Sequence, residues 1–204
     1  MWWRAGKHTM TEDETDSTLL KRFRRGDEAA FEALFVRHYA AVYRVLYGIA
    51  GARELAEDLA QETFLKLYHR PPPADHPLRA WLCRVALNLG RNALRSGRRD
   101  AARTERVAVN EAAADDPAAA AERSEARDLV RSALAALPER QARLLLLRHA
   151  GLSYAELAAV LDIAPGSVGT LLARAERAFI IAYEQGAGIR HEEPAPSLTG
   201  EVQP

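Results

Sequence analysis

A single cysteine, Cys83, occurs in the 204-residue chain, which excludes an internal disulfide framework and fits a reducing compartment. No apolar run approaches the roughly 20 residues that a membrane-spanning helix needs. The opening Met1-Trp2-Trp3-Arg4 has no apolar core of signal-peptide length behind it. The expectation is a soluble cytoplasmic protein, with Met10, followed by a polar and acidic lead-in, as its natural start. Excess charge is also missing: 28 basic and 28 acidic residues leave a formal net of zero, so only an uneven distribution could mark a nucleic-acid partner. The six histidines (His8, His38, His69, His76, His149, His191) are scattered without metal-ligand spacing, and no Gly-rich phosphate loop is present. Neighbouring carboxylates such as Glu57 and Asp58 are common on helix surfaces. These absences argue against an enzyme and against a metal or other cofactor.

Strand signals are nearly absent, and helical periodicity runs almost throughout. The expected fold is all-α, with two small helical domains (17–100 and 127–184) joined by a flexible linker (101–126) and followed by a disordered tail (185–204). A first helix is expected from Ser17 to Arg25, capped by Asp16 or Ser17 and stopped by Gly26. Asp27 caps a second, with Phe31, Leu34, Phe35, Val42, Val45, Leu46 and Ile49 on one stripe and Gly51 at its end. A third, from about Ala52 to His69, buries Ala56, Leu59, Ala60, Thr63, Phe64 and Leu67. The prolines from Pro71 to Pro77 enforce a stiff loop, because each removes an amide donor and restricts its predecessor. A fourth helix runs from about Leu78 to Ser96, with Leu82, Val85, Ala86, Leu89 and Ala93 inward and Gly97 as its breaker. The 101–126 stretch holds eleven alanines, six acids and three arginines, too little large apolar surface to build a core, and reads as a linker that its alanine could make partly helical.

Ser153 and Glu156 form a capping-box pattern. It starts a short helix through Leu161 that buries Leu157 and either Val160 or Leu161. A turn at Asp162-Ile163-Ala164 follows, and Pro165 suits the first position of a new helix. That helix buries Val168, Leu172, Ala175 and Phe179, and presents Ser167, Thr170, Leu171, Arg174 and Arg177 outward. Two helices joined in this way make a helix-turn-helix, the arrangement that lays a recognition helix in a major groove. Pro138 to His149, with its run of four leucines, supplies the supporting helix. A plain helical hairpin with solvated arginines is the alternative.

Between His76 and Arg99 stand six arginines and no acid. Trp81, Arg84, Asn88, Arg91, Arg95 and Arg98 recur at intervals of three and four, so they share a face opposite the apolar stripe. The one-sign bias suits phosphate contacts, and Trp81 and Asn88 add stacking and hydrogen bonding for unpaired bases. On the third helix Asp58, Gln61, Glu62 and Leu65 form an acidic patch with an apolar edge, which reads as a solvated surface or as a dock for a basic helical partner.

In this order the segments Gly26 to Leu34, Ala56 to Phe64, Leu78 to Asn88, Leu137 to Gln141 and Leu152 to Ala158 resemble the extracytoplasmic-function sigma factors of the sigma-70 family. The resemblance spans nearly all of Leu19 to Tyr183. It implies that the first domain reads and melts the minus-ten element and the second reads the minus-thirty-five element. Asp58, Gln61, Glu62 and Leu65 then become the surface docked on the clamp helices of the largest polymerase subunit, with the beta flap as a further contact. The loop carrying Asp75 and His76 sits where the family captures a flipped-out base, a step that costs a few kcal/mol of stacking. Trp81, Arg84, Asn88, Arg91, Arg95 and Arg98 contact the melted strand, and Ser167, Thr170, Arg174 and Arg177 the upstream duplex. The linker matches the segment threaded toward the RNA exit path, and an anti-sigma partner is implied. Two departures stand out. Gly169 and Leu171 replace common basic residues of the recognition helix, which predicts weak or unusual minus-thirty-five recognition, and Asn92 replaces a frequent acid. The competing readings are a stand-alone helix-turn-helix regulator that binds operator DNA without polymerase, and an enzyme acting on nucleic acid.

Overall fold

The computed structural model describes residues 14–101 and 117–188, with side chains described over 14–96 and 124–188. The expected start at Met10, the 102–116 part of the linker, the tail beyond residue 188 and the side chain of Arg98 lie outside that set. Among the described residues there are eight α-helices and no strand: α1 (Asp16–Phe23), α2 (Glu28–Ala50), α3 (Arg53–His69), α4 (Leu78–Ala101), α5 (Pro117–Ala136), α6 (Glu139–His149), α7 (Tyr154–Leu161) and α8 (Val168–Gly186), with a 3-10 turn at Pro165–Ser167.

The cap of α1 is neither Asp16 nor Ser17 but Thr15, whose hydroxyl accepts the Thr18 amide. Asp16 has more distant partners: Arg37 at 2.7 Å and the buried His38 at 2.8 Å, both on α2. Burial pushes its carboxyl up, but the hydrogen bonds and charges of His38 and Arg37 outweigh this and hold it below the ordinary carboxylate value. Asp27 caps α2 as expected, through the Ala29 and Ala30 amides, and Gly51 ends it in the left-handed region at φ +70°. The six inward positions expected on α3 are all buried.

Gly97 does not break α4, which continues to Ala101. One glycine costs about 1 kcal/mol of helix propensity, too little to stop a helix whose next residues, Arg98 and Arg99, are good helix formers. The 101–126 stretch is partly helical, as its alanine content suggests: α5 begins within it at Pro117, where a missing amide is harmless.

Helices α1 to α4 pack around Leu34, Leu46, Leu67 and Leu82, each fully buried, and each such side chain stabilises the fold by roughly 1.5–3 kcal/mol. Helices α5 to α8 close over Leu144, Leu147, Leu157 and Val168. The two sets of buried side chains merge into one continuous cluster. Gly48 of α2 lies against the Leu146 side chain of α6, which leaves no room there for a Cβ.

Cys83 faces the core, fully buried, and burial pushes its thiol up to about 12. The native chain is therefore expected to resist thiol reagents at mildly alkaline pH and to expose one reactive thiol on denaturation; rapid labelling of the folded chain would contradict this packing.

Candidate nucleic-acid and polymerase interface

The acidic patch forms as the spacing predicts. Asp58, Gln61, Glu62 and Leu65 are all exposed along α3. Leu65 is 55% exposed, and Leu55, at 36%, extends the same stripe by one turn toward the N-terminus. Leu55 is not singled out by the sequence pattern, although its offset of three from Asp58 was the available signal. Glu62 is paired with Lys66 at 3.1 Å.

The neighbouring helix α4 carries the opposite chemistry. Arg84, Asn88 and Arg95 are exposed, while Trp81 and Arg91 are half-buried. Trp81 packs partly against the core. Asp75 and His76 are exposed in the preceding loop, which is anchored by the buried Pro72, the His76 amide on the Pro73 carbonyl at 3.0 Å and Arg24 on the Pro72 carbonyl at 3.3 Å.

The face lies opposite the apolar stripe of α4, and another part of the chain lies beside it. Its middle looks into a cleft of about 400 Å³ whose far wall is α6 and α7, with Arg84, Asn88, Glu139, Arg143 and Asp162 among the lining. Arg84 donates to the Ala159 carbonyl of α7, and Arg91 pairs with Glu139 of α6 at 3.3 Å. The Arg91 Nε–H is buried without a partner, which costs free energy. Arg79 donates to the Ala150 carbonyl at 2.9 Å, closing the end of α6 onto α4. This seam comes from contacts between residues far apart in the chain. Gly48, a glycine kept inside a helix where alanine would be favoured, was its one local sign.

The helix-turn-helix forms as read. Ser153 and Glu156 complete the capping box, Asp162 turns the chain at φ +53°, and α7 meets the Pro165–Gly186 stretch at 109°, within the usual range for this motif. The 3-10 turn holds Pro165 to Ser167, and α8 proper starts at Val168. Ser167, Thr170, Arg174 and Arg177 are exposed together. Leu171 is not: it is half-buried against the core, because its offsets of three and four from Val168 and Ala175 put it at the edge of the apolar stripe. Phe179 is only partly buried and lines a second cleft, about 820 Å³, between α2 and the helices α5, α6 and α8.

Among the described residues no cluster of His, Cys, Asp or Glu could hold a metal ion, and no single helix is long and apolar enough to cross a membrane.

Residues 34–100 match the family model for Sigma-70 region 2, and residues 127–179 that for Sigma-70 region 4. The ECF RNA polymerase sigma-E factor of Escherichia coli strain K12 is 32% identical over 181 residues, covering 83% of this chain and 94% of that protein. The chain belongs to the extracytoplasmic-function sigma factors. The RNA polymerase sigma-H factor of Pseudomonas aeruginosa is 29% identical over 187 residues, with the same coverage of each chain. The fold also resembles that of CnrH, solved in complex with the cytosolic domain of CnrY, at a TM-score of 0.64 and 24% identity over 84% of this chain and 99% of that one. RpoE from Bartonella quintana, solved with the anti-sigma factor NepR, follows at a TM-score of 0.54 and 20% identity over 79% and 98% of the chains. As a sigma factor, the protein binds RNA polymerase and directs it to promoters, and is not a stand-alone operator-binding regulator.

Proposed function

We propose that the two surfaces of α3 and α4 divide the work of initiation between them. Asp58, Gln61, Glu62 and Leu65 dock on the clamp helices of the largest polymerase subunit. Trp81, Arg84, Asn88, Arg91, Arg95 and Arg98 hold the melted minus-ten strand, and the loop with Asp75 and His76 receives an extruded base. Ser167, Thr170, Arg174 and Arg177 contact the minus-thirty-five duplex. On this reading residues 17–100 and 127–184 are the two working domains, the beta flap is a second polymerase contact, and a protein inhibitor of the anti-sigma type controls the chain in the cytoplasm. The reading assigns the chain no catalytic step.

One observation carries the proposal: adjacent helices of one domain present chemically opposite faces, the exposed acidic and apolar patch of α3 and, on α4, the exposed Arg84, Asn88 and Arg95 beside the half-buried Trp81 and Arg91. Protein docking and nucleic-acid binding call for that contrast. Run-off transcription with core polymerase on a genomic promoter library tests it. The wild-type chain is expected to start specific transcripts, and none beyond those of core alone would overturn the reading.

The recognition helix offers a gain-of-function check. A Cβ at Gly169 would meet only the Tyr154 ring, at 3.8 Å. Gly169→Arg therefore fits and is expected to steepen the salt dependence of duplex binding by about 0.9, the slope of one added phosphate contact. An unchanged slope would place residue 169 away from the DNA.

A further inference from the structure

We infer that the larger cleft, about 820 Å³ between α2 and the helices α5, α6 and α8, binds a small acyl anion. The ligand class is a single aliphatic tail with a carboxylate or phosphate head. None of the cleft's residues is among those assigned above to polymerase or to DNA.

The lining supplies a place for the tail. Val130 and Leu134 of α5, Leu145 and Leu146 of α6, Tyr47 of α2 and Phe179 of α8 converge on the cleft. None of the six is fully buried, and Val130 remains 39% exposed. Well-packed interiors leave few voids larger than a water molecule. A mostly apolar hollow of this size falls within the roughly 300–1,000 Å³ of small-molecule sites, which add a few polar groups to fix orientation.

Those polar groups are nearly all of one sign. Four arginines and a histidine line the cleft against one acid, Glu176. Arg131 is already paired with Asp128. Arg44 and Arg148 are different: among the described residues neither has an acidic partner. Arg44 donates to the Ala150 carbonyl at 3.5 Å and Arg148 to the Leu152 carbonyl at 3.2 Å, so both reach the turn that ends α6. A guanidinium carries five N–H donors, and each therefore keeps donors for an anionic head, to which charge-assisted bonds are the strong ones.

Size and charge together select this occupant. A partner helix about 10 Å across fills roughly 120 Å³ per residue, so fewer than two turns of it would fit. A cationic head would meet the arginines as like charge, and a neutral one would leave their charge uncompensated.

Titration calorimetry of the full chain with dodecanoate, kept below its micelle concentration, tests the site. One dodecanoate is expected to bind per chain. Decanoate should bind roughly tenfold more weakly, because two fewer methylenes are buried. Dodecyltrimethylammonium, with the same tail and the opposite head charge, should bind at least tenfold more weakly. Dodecyl phosphate is measured alongside, and whichever anion binds tighter names the head. Arg44→Glu should weaken dodecanoate at least tenfold, and Val130→Trp, which fills the cleft, should abolish its binding. Thermal unfolding checks that both variants fold, and Arg44→Glu, an exposed change, carries the test if the tryptophan does not fit. No saturable binding of either anion overturns the inference. So does equal binding of the cationic amphiphile, or binding that folded Arg44→Glu and Val130→Trp leave unaltered.

Discussion

Exchanging both Asp58 and Glu62 for lysine is expected to cut promoter-directed transcription by about 100-fold, or ~2.8 kcal/mol of binding, through lower affinity for core polymerase and not through loss of fold. Both side chains are exposed on α3, so their replacement leaves no buried group unpaired. The exchange breaks the Glu62–Lys66 ion pair, but helix pairs of that kind contribute only about 0.3–0.5 kcal/mol. Reversed charge at a complementary protein surface, by contrast, costs several kcal/mol. Competition between the variant and the wild type for a fixed amount of core polymerase measures the effect, with thermal unfolding as the check on folding. Unaltered competition would mean that polymerase docks elsewhere.

Trp81→Ala should reduce open complexes by roughly fivefold to 150-fold, the range that corresponds to the 1–3 kcal/mol of one base stacked on an aromatic ring. Closed-complex formation should be preserved, because it depends on the α3 and α8 surfaces. Trp81 is half-buried and packs partly against the core, so the alanine variant also sacrifices some stability. Trp81→Phe separates the two effects by keeping an aromatic surface at the site. Permanganate reactivity of unpaired thymines reports melting, and recovery in the phenylalanine variant is the result that stacking demands. Equal loss in both variants would point to indole-specific packing instead.

Local chemistry was the readable part of this chain. Ser153 and Glu156 are three residues apart and satisfy each other, so the start of α7 follows from a four-residue pattern. Asp27 caps α2 by reaching amides two and three residues on. The faces of α3 and α4 follow from intervals of three and four on one helix. What could not be read depended on partners far along the chain. Asp16 has the chemistry of a cap, but Arg37 and His38 on α2 take its carboxylate and leave the capping to Thr15. Gly97 has the chemistry of a stop, yet its propensity penalty is small beside that of a proline. The partial burial of Arg91 comes from packing against α6 that periodicity alone does not describe, whereas that of Leu171 follows from offsets of three and four that were there to be read. The contacts of Arg84 with α7 and of Arg91 with α6 had no motif at all.

The ending of α4 at Ala101 and the start of α5 at Pro117 give the seam between the domains a property that its hydrogen bonds do not reveal. The two halves are one molecule, so each meets the other at an effective concentration that for a short connection reaches the millimolar range. Even an association too weak to survive between separate proteins at cellular dilution would be made under that condition. Cleaving the backbone between residues 102 and 116 would remove that effective concentration and leave the seam to the affinity of its two halves alone.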